Sequence, residues 1–189
     1  MSKYFENLVF TKHITENAPL HQGEYDSCNF NHIDLTNYDL SGYTFTDCIF
    51  TDCNLSSVKL NKTALKNIQM KGCKLLGLPF DRCSEFLFEV HFENCILNFS
   101  SFHNVNLKNS SFKNCTIHDV DFTQTDLSAL NMLNCDLLNS KFERTTLEKT
   151  DFRSAYNYLI DPEQNRIKKA KFSKEGISGL LAKYDIIIE

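Results

Sequence analysis

Ser110-Ser111-Phe112-Lys113-Asn114-Cys115-Thr116-Ile117-His118-Asp119-Val120-Asp121-Phe122-Thr123-Gln124-Thr125-Asp126-Leu127 carries a large apolar residue at every fifth position: Phe112, Ile117, Phe122 and Leu127. The same spacing continues outward through Met132, Leu137, Phe142, Leu147 and Phe152. Backward it runs through Leu107, Phe102, Leu97, Phe92 and Leu87. After one slip it continues from Phe80 through Leu75, Met70, Leu65, Leu60, Leu55, Phe50, Phe45, Leu40, Leu35 and Phe30 to Tyr25. A helix would repeat every 3.6 residues and a strand every second residue, so strict fives fit neither. A sustained short repeat predicts a solenoid, in which each unit stacks on its neighbours and none folds alone.

Within each unit a second, smaller residue stands two before the centre: Cys28, Ile33, Cys48, Cys53, Val58, Cys73, Val90, Cys95, Cys115, Val120 and Cys135. Asp or Asn recurs one before it, as at Asp34, Asp39, Asn54, Asn106, Asp121, Asp126 and Asp136. The other two positions are mostly polar. Two inward and three outward residues per unit describe a wall one residue thick, dry inside and wet outside. Like residues recur every twenty positions: Cys95, Cys115 and Cys135; Phe102, Phe122 and Phe142; Leu87, Leu107, Leu127 and Leu147. Four units per turn therefore place like on like in a square coil, the ladder arrangement of stacked β structure.

This pattern resembles the pentapeptide-repeat family, with consensus A-(D/N)-(L/F)-x-x, over residues 25 to 152. The resemblance implies an all-β, right-handed quadrilateral β-helix. The expected organisation is an N-terminal cap over 1–22, the β-helix over 23–155 with its register slip near 81–87, and a C-terminal helical cap and dimerisation segment over 156–189.

Composition is consistent with one such domain. The chain has 189 residues, 16 Phe and no Trp, and only 3 Pro and 6 Gly, so linker material is scarce. No apolar run approaches the ~20 residues that span a bilayer. Met1-Ser2-Lys3-Tyr4-Phe5-Glu6 has no apolar signal region, and a cytoplasmic location is expected. Seven of the eight cysteines occupy the small inward position, with Cys83 at the slip. No C-x-x-C pair is present, so free core thiols are expected rather than disulfides or zinc. The six histidines share no ligand spacing, and no phosphate loop, nucleophile elbow or paired-carboxylate motif is present. No cofactor, metal or catalytic residue is expected, and the chain does not read as an enzyme.

The ends of a solenoid expose unpaired backbone and need covers. Phe5, Leu8, Val9 and Phe10 are the apolar material available at the N-terminus. At the other end the fives stop after Phe152, and Ser173 is placed to N-cap a helix over about 174–183. Ile177, Leu180, Leu181 and Tyr184 lie on one face of that helix, and Ile186-Ile187-Ile188 reads as a short strand. These residues are the candidate homodimer interface, because an apolar run at a free end invites pairing with a second copy.

The tail, from Asn157-Tyr158-Leu159-Ile160-Asp161 to Asp185-Ile186-Ile187, resembles that of albicidin-resistance pentapeptide proteins, and more loosely of microcin-immunity and Qnr-type quinolone-resistance proteins. That resemblance implies a tail-to-tail dimer, DNA gyrase as partner, and relief of gyrase poisons through mimicry of duplex DNA, with no direct binding of nucleic acid and no membrane contact. A pentapeptide scaffold with another protein partner is the alternative.

Charge sets bounds on mimicry. The repeats span ~31 Å at ~4.8 Å per coil, and a dimer ~60 to 70 Å with its caps. Duplex DNA of ~60 Å carries ~35 phosphate charges, whereas two chains at −4 carry only −8. Shape and local patches must then do the work. Residues 13–58 hold seven acids and no Lys or Arg. Glu24, Asp26, Asp34, Asp39, Asp47 and Asp52 are the partner-binding candidates there. Asp81, Arg82 and Glu85 are added from the slip, where a two-residue insertion forms a small loop.

Overall fold

The chain is described from a computed structural model over residues 3–11 and 19–187. Its strands are β1 (Lys3–Glu6), β2 (Val9–Phe10), β3 (Gly23–Asp26), β4 (Asn29–Asn31), β5 (Thr44–Thr46), β6 (Ile49–Thr51), β7 (Ala64–Lys66), β8 (Ile68–Lys71), β9 (Val90–Glu93), β10 (Ser111–Lys113) and β11 (Met132–Leu133). All pair in parallel. One sheet is ordered β1-β3-β5-β7 and the other β2-β4-β6-β8-β9-β10-β11. The remaining faces are held by single parallel bridges, twenty residues apart as in Ile96 to Thr116 and Thr116 to Asp136, and twenty-two apart where they cross the insertion, as in Lys74 to Ile96. This is the expected all-β square solenoid.

Each five-residue unit has a physical reason for its composition. The centre points inward and stacks on its equivalent one coil away. Phe10–Phe30 and Phe30–Phe50 ring centroids lie 4.8 and 4.5 Å apart, and Phe80–Phe102 4.6 Å. Rings on adjoining faces meet edge to face, as Phe102 and Phe112 do at 84°, so both favoured aromatic geometries are used at once. Where the small residue two before the centre is Cys, Ser or Thr, it does more than fill space: it donates to a carbonyl of the preceding coil. Thr125 Oγ1 donates to Phe102 O at 2.7 Å, Ser140 Oγ to Ile117 O at 2.6 Å and Cys95 Sγ to Met70 O at 3.2 Å. Cys, Ser and Thr thus share one slot because each is small and carries a donor.

Asp or Asn one before the centre accepts from the amide two residues on. Asp121 Oδ1 takes the Thr123 N–H at 2.8 Å, and Asp34, Asp39, Asp126 and Asp151 do the same. These Asx turns form the corners. Two residues after most centres the backbone enters the left-handed region, occupied by Asn37, Asp47, Asp52, Asn67, Asn94, Asn114, Asp119, Asn134 and Asn139. Asn and Asp tolerate that region better than other side chains. Gly, Ser, Lys, Gln, Ala and Arg also occur there, and Phe99, at φ 63°, is an exposed aromatic case.

The ladder runs beyond the recognisable repeat at both ends. Lys3–Glu6 pairs with Gly23–Asp26, and Val9–Phe10 with Asn29–Phe30, so two strands extend the ladder before the recognisable repeat. Phe5 stacks on Tyr25, whereas Leu8 and Val9 face outward rather than serving as apolar cargo. At the other end Arg166 bridges Thr146 and Lys171 bridges Asp151, although the fives were expected to stop at Phe152. Phe172 stacks on Phe152 at 5.4 Å. One column then runs Phe10, Phe30, Phe50, Met70, Phe92, Phe112, Met132, Phe152, Phe172, or eight steps of ~4.8 Å, ~38 Å.

The slip is corrected in one detail. Leu87 does not resume the series: it is exposed at φ 57°, and Phe88 turns inward against Phe80. Beyond the insertion Ile68 pairs with Val90, a step of twenty-two. The four-stranded sheet ends at β7, while the seven-stranded sheet passes the insertion unbroken.

Since the corner carboxylate works as an acceptor, Asp121→Ala should lose about 1 to 2 kcal/mol in urea unfolding. Asp121→Asn keeps the acceptor and should lose less than half as much. Equal losses in the two variants would show that charge, not the turn hydrogen bond, matters at this position.

Candidate partner-binding surface

The acidic candidates do not converge. Glu24 and Asp26 lie on β3, Asp34 on the face bridged to Asn54, and Asp39 on the face bridged to Lys59. Asp47 and Asp52 occupy left-handed corners. Several are engaged by neighbours one coil away: Asn67 Nδ2 donates to Asp47 Oδ1 at 2.6 Å, Lys59 lies 3.6 Å from Asp39, and His32 3.8 Å from Asp52. Tyr4 and Ser27 hydroxyls both donate to Asp26. The hydrogen bonds from Ser41 hold the Asp39 carboxyl below the usual range, assisted by Lys59. The acids therefore form a belt around the N-terminal coils rather than a stripe along one face.

Asp81, Arg82 and Glu85 are exposed together on the insertion, which opens with a short 3-10 turn over Phe80–Arg82. Its tip is apolar. Phe86 is 67% and Leu87 63% exposed, and Lys66 Nζ stands 5.5 Å from the centre of the Phe86 ring. The charged residues were chosen from sequence; the apolar pair beside them was not.

The C-terminal end is built differently. Ser173 Oγ accepts the Gly176 N–H at 3.0 Å, the capping bond expected. The expected single helix over 174–183 is instead two 3-10 turns, Glu175–Ile177 and Ala182–Tyr184, flanking one α-turn, α1 (Ser178–Leu181). Close packing on Tyr158 explains the short α-turn. A side chain at Gly176 would meet the Tyr158 hydroxyl and one at Gly179 the Tyr158 carbonyl, so glycine is needed where the segment crosses that ring. The Gly179 carbonyl accepts Ile160 N–H at 2.9 Å, and Lys183 Nζ reaches both Asp161 and Glu163 at 2.7 Å. Hydrogen bonding to Lys183 lowers both carboxyl pKa values and raises that of the ammonium. This clamp is intact above the ordinary carboxylate range and weakens as pH falls through the lowered values.

Of the dimer candidates, Leu180 packs against the core and Leu181 is half-buried, while Ile177, Tyr184, Ile186 and Ile187 are exposed. Ile186 and Ile187 form no strand, and Ile188 lies outside the described residues. Leu181 and Ile186 line an open cleft of about 740 Å³ between the tail and the last coils. Its coil side includes Leu138, Tyr156 and Leu159, all exposed. These three were not singled out from sequence, though apolar residues in outward repeat slots such as Leu138 and Tyr156 are a readable anomaly. Beneath the tail the Tyr158 hydroxyl is buried without a hydrogen-bond partner.

Among the described residues, no group of three or more His, Cys, Asp or Glu side chains is arranged to hold a metal ion. Nor is any helix there long and apolar enough to cross a membrane. His118 Nε2 meets Asp136 Oδ2 at 2.8 Å, and Asn157 Nδ2 donates to Asp136 Oδ1 at 2.7 Å, an outward cluster that ties successive coils.

No curated protein sequence matches the chain. Among solved structures, a trypsin-treated form of QnrB1, a plasmid-mediated fluoroquinolone resistance protein, superposes with TM-score 0.62 at 15% identity, covering 100% of both chains. HetL, a pentapeptide repeat protein involved in heterocyst differentiation regulation from the cyanobacterium Nostoc sp. strain PCC 7120, is similar at 16% identity. It covers 90% of this chain and 84% of its own, with TM-score 0.43. The family model for the pentapeptide repeat region matches residues 43–117 and 80–152. With the repeat traced coil by coil and more than half of its length matched, this chain belongs to the pentapeptide repeat family.

Proposed function

We propose that the chain is a non-catalytic binding protein that protects DNA gyrase from a toxin or quinolone, acting as a dimer joined at its C-terminal ends. The observation that carries the dimer is the apolar end surface: Leu138, Tyr156, Leu159 and Ile186 exposed around one open cleft, with Ile177 and Ile187 exposed on the same tail. Such a concentration of exposed apolar side chains favours burial against a second copy. Gyrase as the partner rests on the tail's resemblance to gyrase-protecting proteins. The whole-length likeness to a fluoroquinolone resistance protein supports the shared fold.

Two rods of ~38 Å joined at their ends approach ~80 Å, a length suited to a surface that normally holds duplex DNA. The acid belt acts as local patches on that shape, giving partial DNA mimicry, because the total charge is far below that of a duplex. The second reading is a scaffold for another protein. It is favoured by the distribution of the acids over several faces and by their engagement with Lys59, Asn67 and His32. Both readings use the rod as a binding surface without bond chemistry.

The assembly is tested by light scattering at micromolar concentration. Wild type should have twice the chain mass, and Tyr156→Asp combined with Ile187→Asp should give a monomer with an unchanged β-rich far-UV spectrum. A monomeric wild type defeats the dimer.

Gyrase protection is tested by supercoiling in the presence of a quinolone or an albicidin-like poison. The dimer should restore activity below the concentration at which it inhibits the enzyme, and added salt should weaken the effect. Replacing Asp34 and Asp39 by Asn keeps their corner hydrogen bonds while removing charge. Combined with Asp47→Lys and Asp52→Lys, it should lower protection at least tenfold. Absence of gyrase binding with every poison tried leaves the scaffold reading in place.

A further inference from the structure

Cys53, Cys73, Cys95, Cys115 and Cys135 occupy one slot on five successive coils. The bridges Asn54 to Lys74, Lys74 to Ile96, Ile96 to Thr116 and Thr116 to Asp136 fix their register, each one residue after a cysteine. The amides of Lys74, Ile96, Thr116 and Asp136 also donate to the carbonyl of the cysteine one coil back, at 2.9 to 3.0 Å. Five sulfurs therefore stand in a row, one rung apart. All five are free, and each is at most 2% exposed. Ile33 continues the column below and Ala155 above, so the row is closed by apolar groups.

We propose that this row is a binding site for soft, two-coordinate cations of the Cu(I) and Ag(I) class, each held linearly between sulfurs of consecutive coils. Two metal–sulfur bonds of about the zinc–sulfur length, ~2.3 Å, would span ~4.6 Å, against a rung spacing of ~4.8 Å. A tetrahedral ion such as zinc is disfavoured, because each sulfur finds other sulfurs only directly above and below it. Thiolate ligands select soft cations. Charge points the same way. Uptake of M⁺ by two neighbouring thiols forms a thiolate–M–thiol unit and releases one proton, so the net charge placed in the dry core is zero. The hydrogen bonds given up are weak S–H donations to carbonyls, such as Cys73 Sγ to Phe50 O at 3.4 Å.

The site is separable from core filling by choosing which rungs to remove. Serine already occupies the equivalent inward slot at Ser100 and Ser140, where it donates to Leu75 O and Ile117 O, so Cys→Ser is compatible with the coil. C73S/C115S leaves Cys53, Cys95 and Cys135 two rungs apart, ~9.6 Å, with no adjacent pair. C53S/C135S removes the same number of thiols and leaves three adjacent ones. The separate Cys28–Cys48 pair is present in both and supplies one further linear site. Anaerobic reduced protein, titrated with Cu(I) against a competing chelator, should take up three equivalents as wild type, two as C53S/C135S and one as C73S/C115S. X-ray absorption of the loaded wild type should show two sulfur neighbours per copper and no nitrogen or oxygen. Equal uptake by the two variants, no uptake by wild type, or a copper shell containing nitrogen or oxygen would overturn the proposal. Should C73S/C115S not fold, the copper shell of the wild type still decides it.

Discussion

In-register stacking at a period of twenty residues governs everything else in this molecule. Each coil contributes few backbone hydrogen bonds per face, and no coil closes a core of its own. What makes the array cohere is that every bond repeats one rung up, so Phe10, Phe30 and Phe50 stack while the bridges beside them keep the carbonyls paired. Stability in such an array is a sum of nearest-neighbour terms, and a defect is felt mainly by the coils that touch it. The insertion at 81–87 shows this. It ends one sheet at β7, yet the other sheet passes it and the square coil resumes within one turn.

The same constraint explains which parts were legible from sequence. Positions whose side chains meet their own copies one rung away were read correctly, because the requirement repeats and so becomes a pattern. The centres, the small inward residues and the Asp or Asn before each centre belong here. What the pattern could not show was why those residue types recur. The donor role shared by Cys, Ser and Thr and the turn bond of Asp121 are visible only once the neighbouring amide or carbonyl is placed. Leu87 was misplaced because its spacing satisfied the period, while the insertion had shifted the chain and brought Phe88 inward.

The ends failed for a different physical reason. At Phe172 the stacking contact continues with little of the motif, since the last rung has only one neighbour to satisfy and a looser sequence suffices. The tail was read as one amphipathic helix because periodicity registers which face is apolar but not how closely that face must approach a ring. Tyr158 sets that distance, and the glycines that permit it also shorten the helix. Of the candidate site, the exposed isoleucines and Tyr184 were found from sequence. The coil-side residues Leu138, Tyr156 and Leu159 were not, because each belongs to a separate rung or turn and only the fold brings them to one cleft.

A wall one residue thick also separates the roles of its two surfaces. Inward positions answer to the rung above and below, so a change there propagates along the axis; outward positions carry that constraint only at corners. Partner recognition is therefore expected where the outward slots depart from polarity without a packing reason. Two such places stand out: the Phe86–Leu87 tip, where the inserted residues have left the ladder, and the C-terminal cleft, where the ladder ends. Both are sites where a coil has lost a neighbour. An exposed apolar residue there costs the rod little stacking and leaves area free for a second molecule. The acid belt has no such freedom. Asp34 and Asp39 are held by corner turns, so their positions follow the coil geometry whatever partner they meet. Turn requirements alone thus explain much of the acidity at this end. The charge of Asp34 and Asp39 is still presented to a partner, as is that of Glu24 on β3, so the belt's electrostatic contribution is set by where the coil places each acid.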